Sequence, residues 1–435
     1  MANFLPKEYY NKFLSDVSKS RIPSPIRSLM PLENKPGLIS MLAGKPNSST
    51  FPFTSIQLTA RSPTDPTKEE VLTLGPKELE TALQYGPTAG MPSLLEWIWG
   101  LQEYAHGRKR GEGWRPSVGA GSQDVIYKAV NAILNPGDSV LVESPVYAGV
   151  IPMFKAHGCK LVEVETDGNG IQSSSLRGIL ENWPAGTPKP KVLYSVPYGC
   201  NPSGATATVE RKRETLELAR KHDILIFEDD PYYFLYFGTK SRPPSYFTLE
   251  LEQPEAGRVL RFDSLSKILS SGIRIGFISG PEPLVNAMDM HTATANLQVS
   301  TLTQEITSVL LRSWGYDGFK AHTEVVSDFY RQKRDAFERA LRTHLDGLAE
   351  WVTPEAGMFI WFKLLIGDKP GEEGDSFDLV RNKAFENGVL ALPGTVFLPD
   401  GRRTAYVRAS FSLLSEEDVN EALRRLRVTI LKARK

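Results

Sequence analysis

Short apolar runs rich in β-branched residues recur along the chain from about residue 118 and alternate with stretches of helical spacing. Such runs between helices are typical of parallel strands that are buried on both faces of a sheet. The pattern therefore predicts an α/β protein with a helix-covered, mainly parallel sheet. The clearest runs are Ser139–Val142, Lys160–Val164, Val192–Val196, Ile224–Phe227, Val259–Phe262 and Ile275–Ile278.

The flanking parts of the chain have a different pattern. Prolines interrupt the N-terminal part, where residues 46–67 predict a loop with one short strand near Ser55–Leu58. A long helix is predicted over Thr303–Leu345, with an interruption near Gly315–Gly318. The tail then predicts strands at 358–362, 389–391 and 405–410 and a closing helix at 416–432.

This tail predicts an α+β unit separate from the sheet, and three regions follow from it. We expect an N-terminal arm with part of a small domain at 1–75, a large domain at 76–310 and a C-terminal small domain at 311–435.

Composition excludes several classes of protein. Lys and Arg number 51 and Asp and Glu number 51, so the net charge of 0 argues against a nucleic-acid partner. A hydrophobic content of 41% excludes a largely disordered chain. No run approaches the ~18 apolar residues of a membrane span, and residues 1–30 lack an apolar signal core. With only Cys159 and Cys200, we expect a cytoplasmic protein without a membrane partner.

Four of the predicted strands are followed by polar and aromatic residues. In sheets of this kind the ligand site lies at the carboxyl ends of the strands, so these residues are expected near one site. The four segments are Glu143–Tyr147, Pro197–Gly204, Glu228–Tyr233 and Asp263–Lys267.

Each segment taken alone has an ordinary structural explanation. Asn-Pro-Ser-Gly at 201–204 is typical of a turn, and the acids at 228–230 are compatible with a solvated loop or a magnesium site. A lone lysine such as Lys267 is usually a surface residue, while Tyr147 and Tyr233 are of a type common in cores. These explanations weaken because all four segments are predicted at the same end of one sheet.

One cofactor, pyridoxal 5′-phosphate, needs such a set. It requires a lysine amine for a Schiff base, an acid at the pyridine nitrogen, donors to the ring oxygen, an aromatic face and a phosphate site. We assign the amine to Lys267 and the acid to Asp230, with Asp229 and Glu228 as alternatives for the acid. The remaining ring contacts are assigned to Asn201, Tyr233 and Tyr147, the last as the stacking partner, and no metal ligands are assigned.

The phosphate site is predicted where residues 119–124 open a helix over 125–134. Backbone N–H groups and the dipole at a helix N-terminus attract anions. Ser122 and Gln123 lie there, although Ser122 is also compatible with an ordinary helix cap. Further contacts are assigned to Ser264, Ser266 and Arg274, whose planar guanidinium suits phosphate.

These motifs together resemble the fold type I pyridoxal-phosphate enzymes of the aspartate-aminotransferase superfamily. Within it the chain is similar to the kynurenine/2-aminoadipate aminotransferases and the fungal aromatic aminotransferases, over nearly its whole length. The most specific part is Ser-Leu-Ser-Lys at 264–267 with Arg274 seven residues later. Ala43 stands where relatives often have glycine, and Ser271 where many have proline. The other matching segments are 23–27, 42–44, 51–53, 85–90 and 406–411.

The resemblance implies an aspartate-aminotransferase-like fold, with a mainly parallel seven-stranded sheet between helices and a smaller α+β domain. It implies that Arg408 clamps the substrate α-carboxylate, where lysine would fit less well, and Asn201 is also assigned to substrate binding. It also implies a homodimer with shared active sites, in which Tyr85 reaches the phosphate of the other subunit. Gly44 and Arg27 would lie in a mobile N-terminal segment that closes over the substrate.

We therefore predict transamination of an L-amino acid, with tryptophan, phenylalanine, tyrosine or kynurenine favoured as donor and 2-oxoglutarate or another 2-oxo acid as acceptor. Lys267 would move the Cα proton as general base and acid. Other reactions of the same scaffold, a C–S lyase or a cyclopropane-forming synthase, remain alternatives. An aminotransferase-like sensor is a more distant one, since the chain has neither a helix-turn-helix pattern nor a basic excess.

Overall fold

The computed structural model describes residues 3–29, 32–33, 35–42, 44–367 and 374–433. The chain divides into two compact units, each built from two stretches of sequence. The first unit is Met1–Pro136 with Glu250–His322, and the second unit is Gly137–Leu249 with Thr323–Lys435.

The regular elements are as follows in chain order. The strands are β1 (Asn3–Phe4), β2 (Ile56–Arg61), β3 (Glu69–Leu74), β4 (Trp114–Gly119), β5 (Ser139–Ser144), β6 (Lys160–Asp167), β7 (Gly170–Ile171), β8 (Val192–Ser195), β9 (Leu225–Asp229), β10 (Glu255–Ala256), β11 (Val259–Ser264), β12 (Gly276–Pro281), β13 (Ala349–Trp351), β14 (Phe359–Leu364), β15 (Leu392–Pro393) and β16 (Tyr406–Ser410). The α-helices are α1 (Asp16–Ser20), α2 (Pro25–Leu29), α3 (Pro76–Ala82), α4 (Pro92–His106), α5 (Ser122–Ile133), α6 (Ile151–Ala156), α7 (Ser173–Glu181), α8 (Val209–His222), α9 (Tyr246–Leu249), α10 (Glu282–Ala295), α11 (Thr301–Leu345), α12 (Ser376–Asp378) and α13 (Glu416–Ala433). Short 3₁₀ turns lie at Lys7–Lys12, Ser48–Thr50, Glu250–Glu252, Ser271–Ile273 and Gly394–Phe397, and a π-helical turn at Leu379–Ala384.

In the first unit, β4, β12 and β11 form an antiparallel set. Helix α5 packs on β12 and α10. Its apolar residues recur at helical spacing, so Val125, Ala129, Val130 and Ile133 are all buried on one face. The hairpin β2–β3 and the parallel pair β1–β10 belong to the same unit.

The second unit contains the parallel strands. β5 pairs in parallel with β6 on one side and with β8 on the other, and β9 continues in parallel from β8. The strand centres are fully buried, as Leu141 and Ile226 illustrate. The segments that leave the carboxyl ends of β5, β8 and β9 carry Tyr147, Asn201 and Asp230.

A smaller antiparallel sheet, in the order β13-β14-β16-β15, completes the second unit. Helix α13 and the C-terminal part of α11 pack on it around a core that includes Phe337, Leu341, Phe362, Val407 and Leu426. Strand β16 carries Arg408, which lies opposite Trp361 of β14.

The fold class predicted from the sequence is confirmed: the protein is α/β with a large, mostly parallel central sheet. The six predicted runs coincide with β5, β6, β8, β9, β11 and β12. The described residues contribute eight such strands rather than seven, because the two-residue β7 pairs antiparallel with β6. Helix α11 is interrupted as predicted, at Gly315, where φ is 62°.

Three local predictions differ from the structure. β11 and β12 are antiparallel, because the connection between them holds only a 3₁₀ turn and a parallel pair needs a longer crossover. Strand β3 was not predicted, since Glu69 and Glu70 hide its alternation. The strand expected at 389–391 begins at Leu392. No helix among the described residues is long and apolar enough to cross a membrane.

Candidate active site

The segment between β11 and β12 of the first unit carries Lys267. It leaves the strand through a compact turn in which the Ser266 N–H donates to Ser264 Oγ at 3.3 Å and the Leu269 N–H donates to the Leu265 carbonyl at 2.9 Å. Ser264 is buried, and Lys267 is half-buried. The turn therefore fixes the backbone of Lys267 at the end of a buried strand.

Arg274 closes the same segment and faces the start of α5. Its Nη2 donates to the Ala120 carbonyl at 3.0 Å, and its Nη1 donates to Ser266 Oγ and the Ser271 carbonyl, both at 3.2 Å. Among the described residues, no carboxylate pairs with this guanidinium. A cation without a counter-charge next to a helix N-terminus forms a site for an anion.

Two glycines allow this close approach. A Cβ at Gly121, where φ is +92°, would lie 2.2 Å from Arg274 Nη2, and a Cβ at Gly276 would lie 2.4 Å from the Ser122 nitrogen. Gly121 is the N-cap of α5 and Ser122 its first helical residue, so the Ser122 hydroxyl does not serve as the cap. Gln123 follows on an exposed position of the same turn. The structure thus brings together the phosphate residues predicted in the first unit.

The N-terminal candidates lie in exposed parts of the first unit. Tyr85 is 54% exposed between α3 and α4. Gly44 is exposed, and nothing lies within 4 Å of where its Cβ would be. Arg27 lies in helix α2, but its side chain and the whole of Ala43 fall outside the described part of the chain.

In the second unit, Arg408 lies between two phenyl rings. Its guanidinium carbon is 4.1 Å from the ring centre of Phe359 and 5.1 Å from that of Phe397. Nη1 donates to Asn201 Oδ1 at 2.9 Å, and the buried Nε has no hydrogen-bond partner within the described residues. Burial lowers the pKa of Arg408, and the negatively charged forms of Tyr232 and Tyr147 oppose this shift. Arg408 and Asn201, which are both predicted to bind the substrate, are therefore in direct contact.

The three neighbouring acids at the end of β9 have different environments. Glu228 accepts the N–H groups of Tyr246 and Phe247 at 2.7 and 3.1 Å, so it caps the start of α9. Asp229 accepts the Tyr194 hydroxyl at 2.5 Å. Asp230 follows the last residue of the strand and is 2% exposed. The capping role sets Glu228 apart from the two aspartates. Burial and the charge of Asp229 together raise the pKa of Tyr147 and of Tyr232, so Asp229 and the predicted Asp230 are both candidates for the ring acid. The described residues contain no group of three or more His, Cys, Asp or Glu that could hold a metal ion.

The two predicted tyrosines have different surroundings. Tyr233 is buried, packs edge-on against Tyr198 with ring centres 5.1 Å apart, and lies beneath the Arg242 guanidinium at 3.9 Å. Tyr147 is half-buried. Burial and the charge of Asp229 raise its pKa, whereas Arg408 lowers it. The Tyr147 hydroxyl therefore stays protonated at neutral pH and can donate.

Sequence reasoning missed the partners that support the candidate residues of the second unit. Phe359 and Phe397 flank Arg408 but come from β14 and a 3₁₀ turn far along the chain. Glu143 lay within the predicted segment Glu143–Tyr147 without a role. Its carboxylate accepts hydrogen bonds from Ser195 at the end of β8 and from Val196 and Cys200 in the loop that follows. The signal that the sequence offered for this role was a carboxylate, Glu143, directly after the apolar run 140–142.

A cavity of about 550 Å³ lies elsewhere in the second unit. It is lined by residues such as Trp361, Tyr406, Lys363 and Arg402 and by none of the predicted cofactor residues. Volume alone is therefore a poor guide to the chemistry here, and the charges around Arg274 and Arg408 are a better one.

Comparison with known proteins identifies the family. Residues 55–426 match the family model of aminotransferase class I and II, so the chain belongs to this family and is an aminotransferase. It is 43% identical over 406 residues to Aminotransferase tdiD of Emericella nidulans, covering 93% of this chain and 92% of the relative. It is 40% identical over 435 residues to the mitochondrial kynurenine/alpha-aminoadipate aminotransferase of Bos taurus, covering 96% and 98%.

Solved structures show the same fold. Aminotransferase Aro8 from Candida albicans superimposes with a TM-score of 0.88 at 24% identity and 99% coverage of both chains. Kynurenine aminotransferase from Pyrococcus horikoshii, solved with PMP, superimposes with a TM-score of 0.75 at 27% identity and 98% coverage of both chains. The resemblance to fold type I pyridoxal-phosphate aminotransferases is thereby confirmed.

Proposed function

We propose that this aminotransferase uses pyridoxal 5′-phosphate to convert aromatic L-amino acids to 2-oxo acids, with 2-oxoglutarate or another 2-oxo acid as acceptor. The observation that carries the proposal is Arg408, a partly desolvated guanidinium with no carboxylate partner in the described chain, set between Phe359 and Phe397. Such a cation is stabilised when a substrate brings its own carboxylate.

Aromatic donors are favoured by two further points. The phenyl rings beside Arg408 offer an apolar surface next to the carboxylate position. In addition, a Dictyostelium discoideum relative that is 31% identical over 403 residues is named an aromatic amino acid aminotransferase.

The residues present fit the cofactor. In the first unit, Arg274, Ser266, Ser264 and the start of α5 offer cationic, hydroxyl and amide donors in a cradle that a Cβ at Gly121 would fill. These groups, with Gln123, would hold the phosphate, and Lys267 would hold the aldehyde carbon. In the second unit, Asn201 and Tyr233 would donate to the ring oxygen, and Tyr147 would stack on the ring. Asp230 would accept the hydrogen bond of the protonated ring nitrogen.

Each residue then has a defined task. When bound, the cofactor supplies an electron-withdrawing ring that accepts the electron pair left at the substrate Cα. Arg408 and Asn201 bind the carboxylate and orient the Cα–H bond. Lys267 would take the proton from Cα as general base and deliver it as general acid to the C4′ carbon of the cofactor. Asp230, as an anion, keeps a positive charge favourable at the pyridine nitrogen.

The test is a product balance. Purified protein with added cofactor is given tryptophan, phenylalanine, tyrosine, kynurenine or 2-aminoadipate, with 2-oxoglutarate or phenylpyruvate as acceptor. We expect a 2-oxo acid and an aminated acceptor in equal amounts, fastest for an aromatic donor, and none from Lys267→Ala. A 2-oxo acid released with ammonia and without an aminated acceptor would indicate a lyase. Binding without turnover would indicate a sensor.

We further propose a homodimer with shared active sites. The N-terminal arm, residues 1–75, exposes Ile39 by 92% and Met41 by 98%, and such apolar side chains favour a protein partner. Tyr85 would then serve the other subunit's phosphate site, and Gly44 and Arg27 would close over the substrate. Co-refolding of Lys267→Ala with Tyr85→Ala should restore part of the activity, because one hybrid site is intact. A monomer by sedimentation, with no recovery, would contradict the dimer.

We also propose that the enzyme acts in the cytoplasm. Both cysteines are free and buried, which is compatible with a reducing compartment, although the mammalian relatives are named as mitochondrial. Cell fractionation with an antibody to the native protein would decide between the two.

A further inference from the structure

Glu143 is a buried carboxylate that the proposed chemistry does not use. It lies at the end of β5 and is 3% exposed. Among the described residues no lysine or arginine pairs with it, and burial raises its pKa. An ionisable side chain in such a place is unfavourable unless hydrogen bonds compensate.

All of its hydrogen bonds go to one neighbouring stretch. Oε1 accepts the Ser195 hydroxyl at 2.6 Å, and Oε2 accepts the Val196 N–H at 3.1 Å and the Cys200 thiol at 3.3 Å. These three donors lie at the end of β8 and in the loop that follows it. Glu143 therefore ties the end of β5 to that loop.

The loop is closed on itself and can transmit this restraint. The Cys200 N–H donates to the Ala205 carbonyl at 2.9 Å, and the Ala207 N–H donates to the Pro197 carbonyl at 2.8 Å. Asn201 lies inside this stem, and its Oδ1 accepts Arg408 Nη1 at 2.9 Å. A displacement at Cys200 would therefore move Asn201 and with it the guanidinium.

We propose that Glu143 is a positioning residue for the substrate carboxylate, because it anchors the 196–207 loop, through which Asn201 orients Arg408, and the strand end from which this loop leaves. The inference rests on the proposed function in that it assigns a carboxylate substrate to Arg408. It adds a residue that touches neither substrate nor cofactor but determines where the clamp points.

A purely structural role would call for a different arrangement. Packing at the end of a buried strand needs only an apolar side chain, and a carboxylate there is retained more readily when its directed bonds specify one geometry. Glu338 offers a comparison, because it is also buried in the second unit and accepts two hydrogen bonds, from Trp351 Nε1 at 2.9 Å and Thr353 Oγ1 at 2.5 Å. Arg342 Nη2 lies 3.9 Å from its Oε1, and neither hydrogen-bond donor belongs to the Asn201 loop.

The experiment compares Glu143→Ala, Glu143→Gln, Cys200→Ala and Glu338→Ala as holoenzymes. Three quantities are measured: the KM and the kcat of transamination, and the calorimetric Kd of 3-phenylpropionate, which carries a carboxylate and a ring but no amine. We expect Glu143→Ala to raise KM for donor and acceptor and to raise the Kd, each about 10- to 100-fold, with kcat changed by less than about threefold.

The conservative changes should be mild. Glu143→Gln keeps two hydrogen-bonding atoms and should stay within about threefold of the wild type in KM and Kd, as should Cys200→Ala, which loses one weak bond. Glu338→Ala should lower the melting temperature without moving the Kd. This ranking separates positioning from general destabilisation.

Three outcomes would overturn the proposal. Glu143→Ala could leave KM and Kd unchanged while it melts early, as the Glu338 variant does. Glu143→Ala and Glu338→Ala could raise the Kd equally. The wild type could fail to bind 3-phenylpropionate, which would remove the carboxylate site itself. If the wild type binds this ligand but does not transaminate, the proposed function fails and the Kd values still decide the role of Glu143.

Discussion

Two arginines that pair with no carboxylate among the described residues, Arg274 in the first unit and Arg408 in the second, are held in opposite ways. Arg274 is exposed and contacts two backbone carbonyls and one hydroxyl, all close to it in the chain or at the adjoining helix start. Arg408 is half-buried and contacts one distant amide and two phenyl rings.

The difference indicates what each cation is suited to bind. An exposed guanidinium among main-chain dipoles suits a phosphate, which keeps part of its hydration. A guanidinium in apolar surroundings interacts more strongly with the carboxylate of a substrate that binds. Before the substrate binds, burial lowers the pKa of Arg408. We therefore assign the permanently bound anion to Arg274 and the exchanging carboxylate to Arg408.

Removal of Lys267 should give the largest effect and tests whether the segment that carries Lys267 and Arg274 holds the cofactor. Without its amine no covalent attachment forms and no base takes the Cα proton, so Lys267→Ala should lose at least about a thousandfold in kcat. Borohydride reduction of the wild type, followed by peptide mapping, should place the pyridoxyl group on Lys267. A modified peptide without Lys267 would contradict the assignment.

Asp230→Asn, in the second unit, should give the next largest effect. Loss of one charge-assisted contact in a dry site costs about 2–4 kcal/mol of transition-state stabilisation, or roughly thirty- to a thousandfold in rate. Pre-steady-state absorbance changes would measure it. Asp229→Asn is the matched control, because Asp229 already accepts the Tyr194 hydroxyl. A larger loss in the control would transfer the acid role to Asp229.

The surroundings of Arg274 and of Arg408 also differ in how far the sequence could predict them. Lys267, Ser266 and Arg274 share one short segment, so a local motif was enough to propose their shared role. The partners of Arg408 come from three separate elements, and no spacing rule connects Phe359, Phe397 and Asn201. Strand positions followed from apolar runs, but the antiparallel direction of β12 depends on its pairing partners, which a local pattern does not contain.

A pair of conservative substitutions sharpens the comparison directly. Arg408→Lys should raise KM for donors and acceptors about 10- to 100-fold, because an ammonium cannot bind a carboxylate in a bidentate fork, and it should leave the Kd of the cofactor unchanged. Arg274→Lys should do the reverse, weakening the cofactor Kd by about 3- to 30-fold with little change in KM. Fluorescence titration of the apoenzyme and steady-state kinetics measure both. If KM and the Kd of the cofactor changed equally in both variants, the two arginines would not bind different anions.

The smallest expected effect concerns pH. It tests whether Glu143 is held by hydrogen bonds without a neighbouring cation, as its contacts among the described residues indicate. Burial raises the folded-state pKa of Glu143 above its unfolded value, so the folded protein keeps a proton that the unfolded chain releases. Stability from this group is therefore full below the unfolded pKa and is lost as pH rises through the folded pKa. Glutamine carries no such proton, so the melting temperature of Glu143→Gln relative to the wild type should rise by about 1–3 °C between pH 4.5 and pH 8.

Glu421 gives the opposite sign, because hydrogen bonds from Arg424 and Arg425 lower its pKa to about 2. Its stabilisation is present above the unfolded pKa and is lost as pH falls through the folded one, so the relative melting temperature of Glu421→Gln should fall slightly from pH 2 to pH 5. A Glu143→Gln difference that falls with pH, as that of the exposed acid does, would mean that a cation compensates Glu143, and the loop would then be held by charge pairing instead of by the three hydrogen bonds.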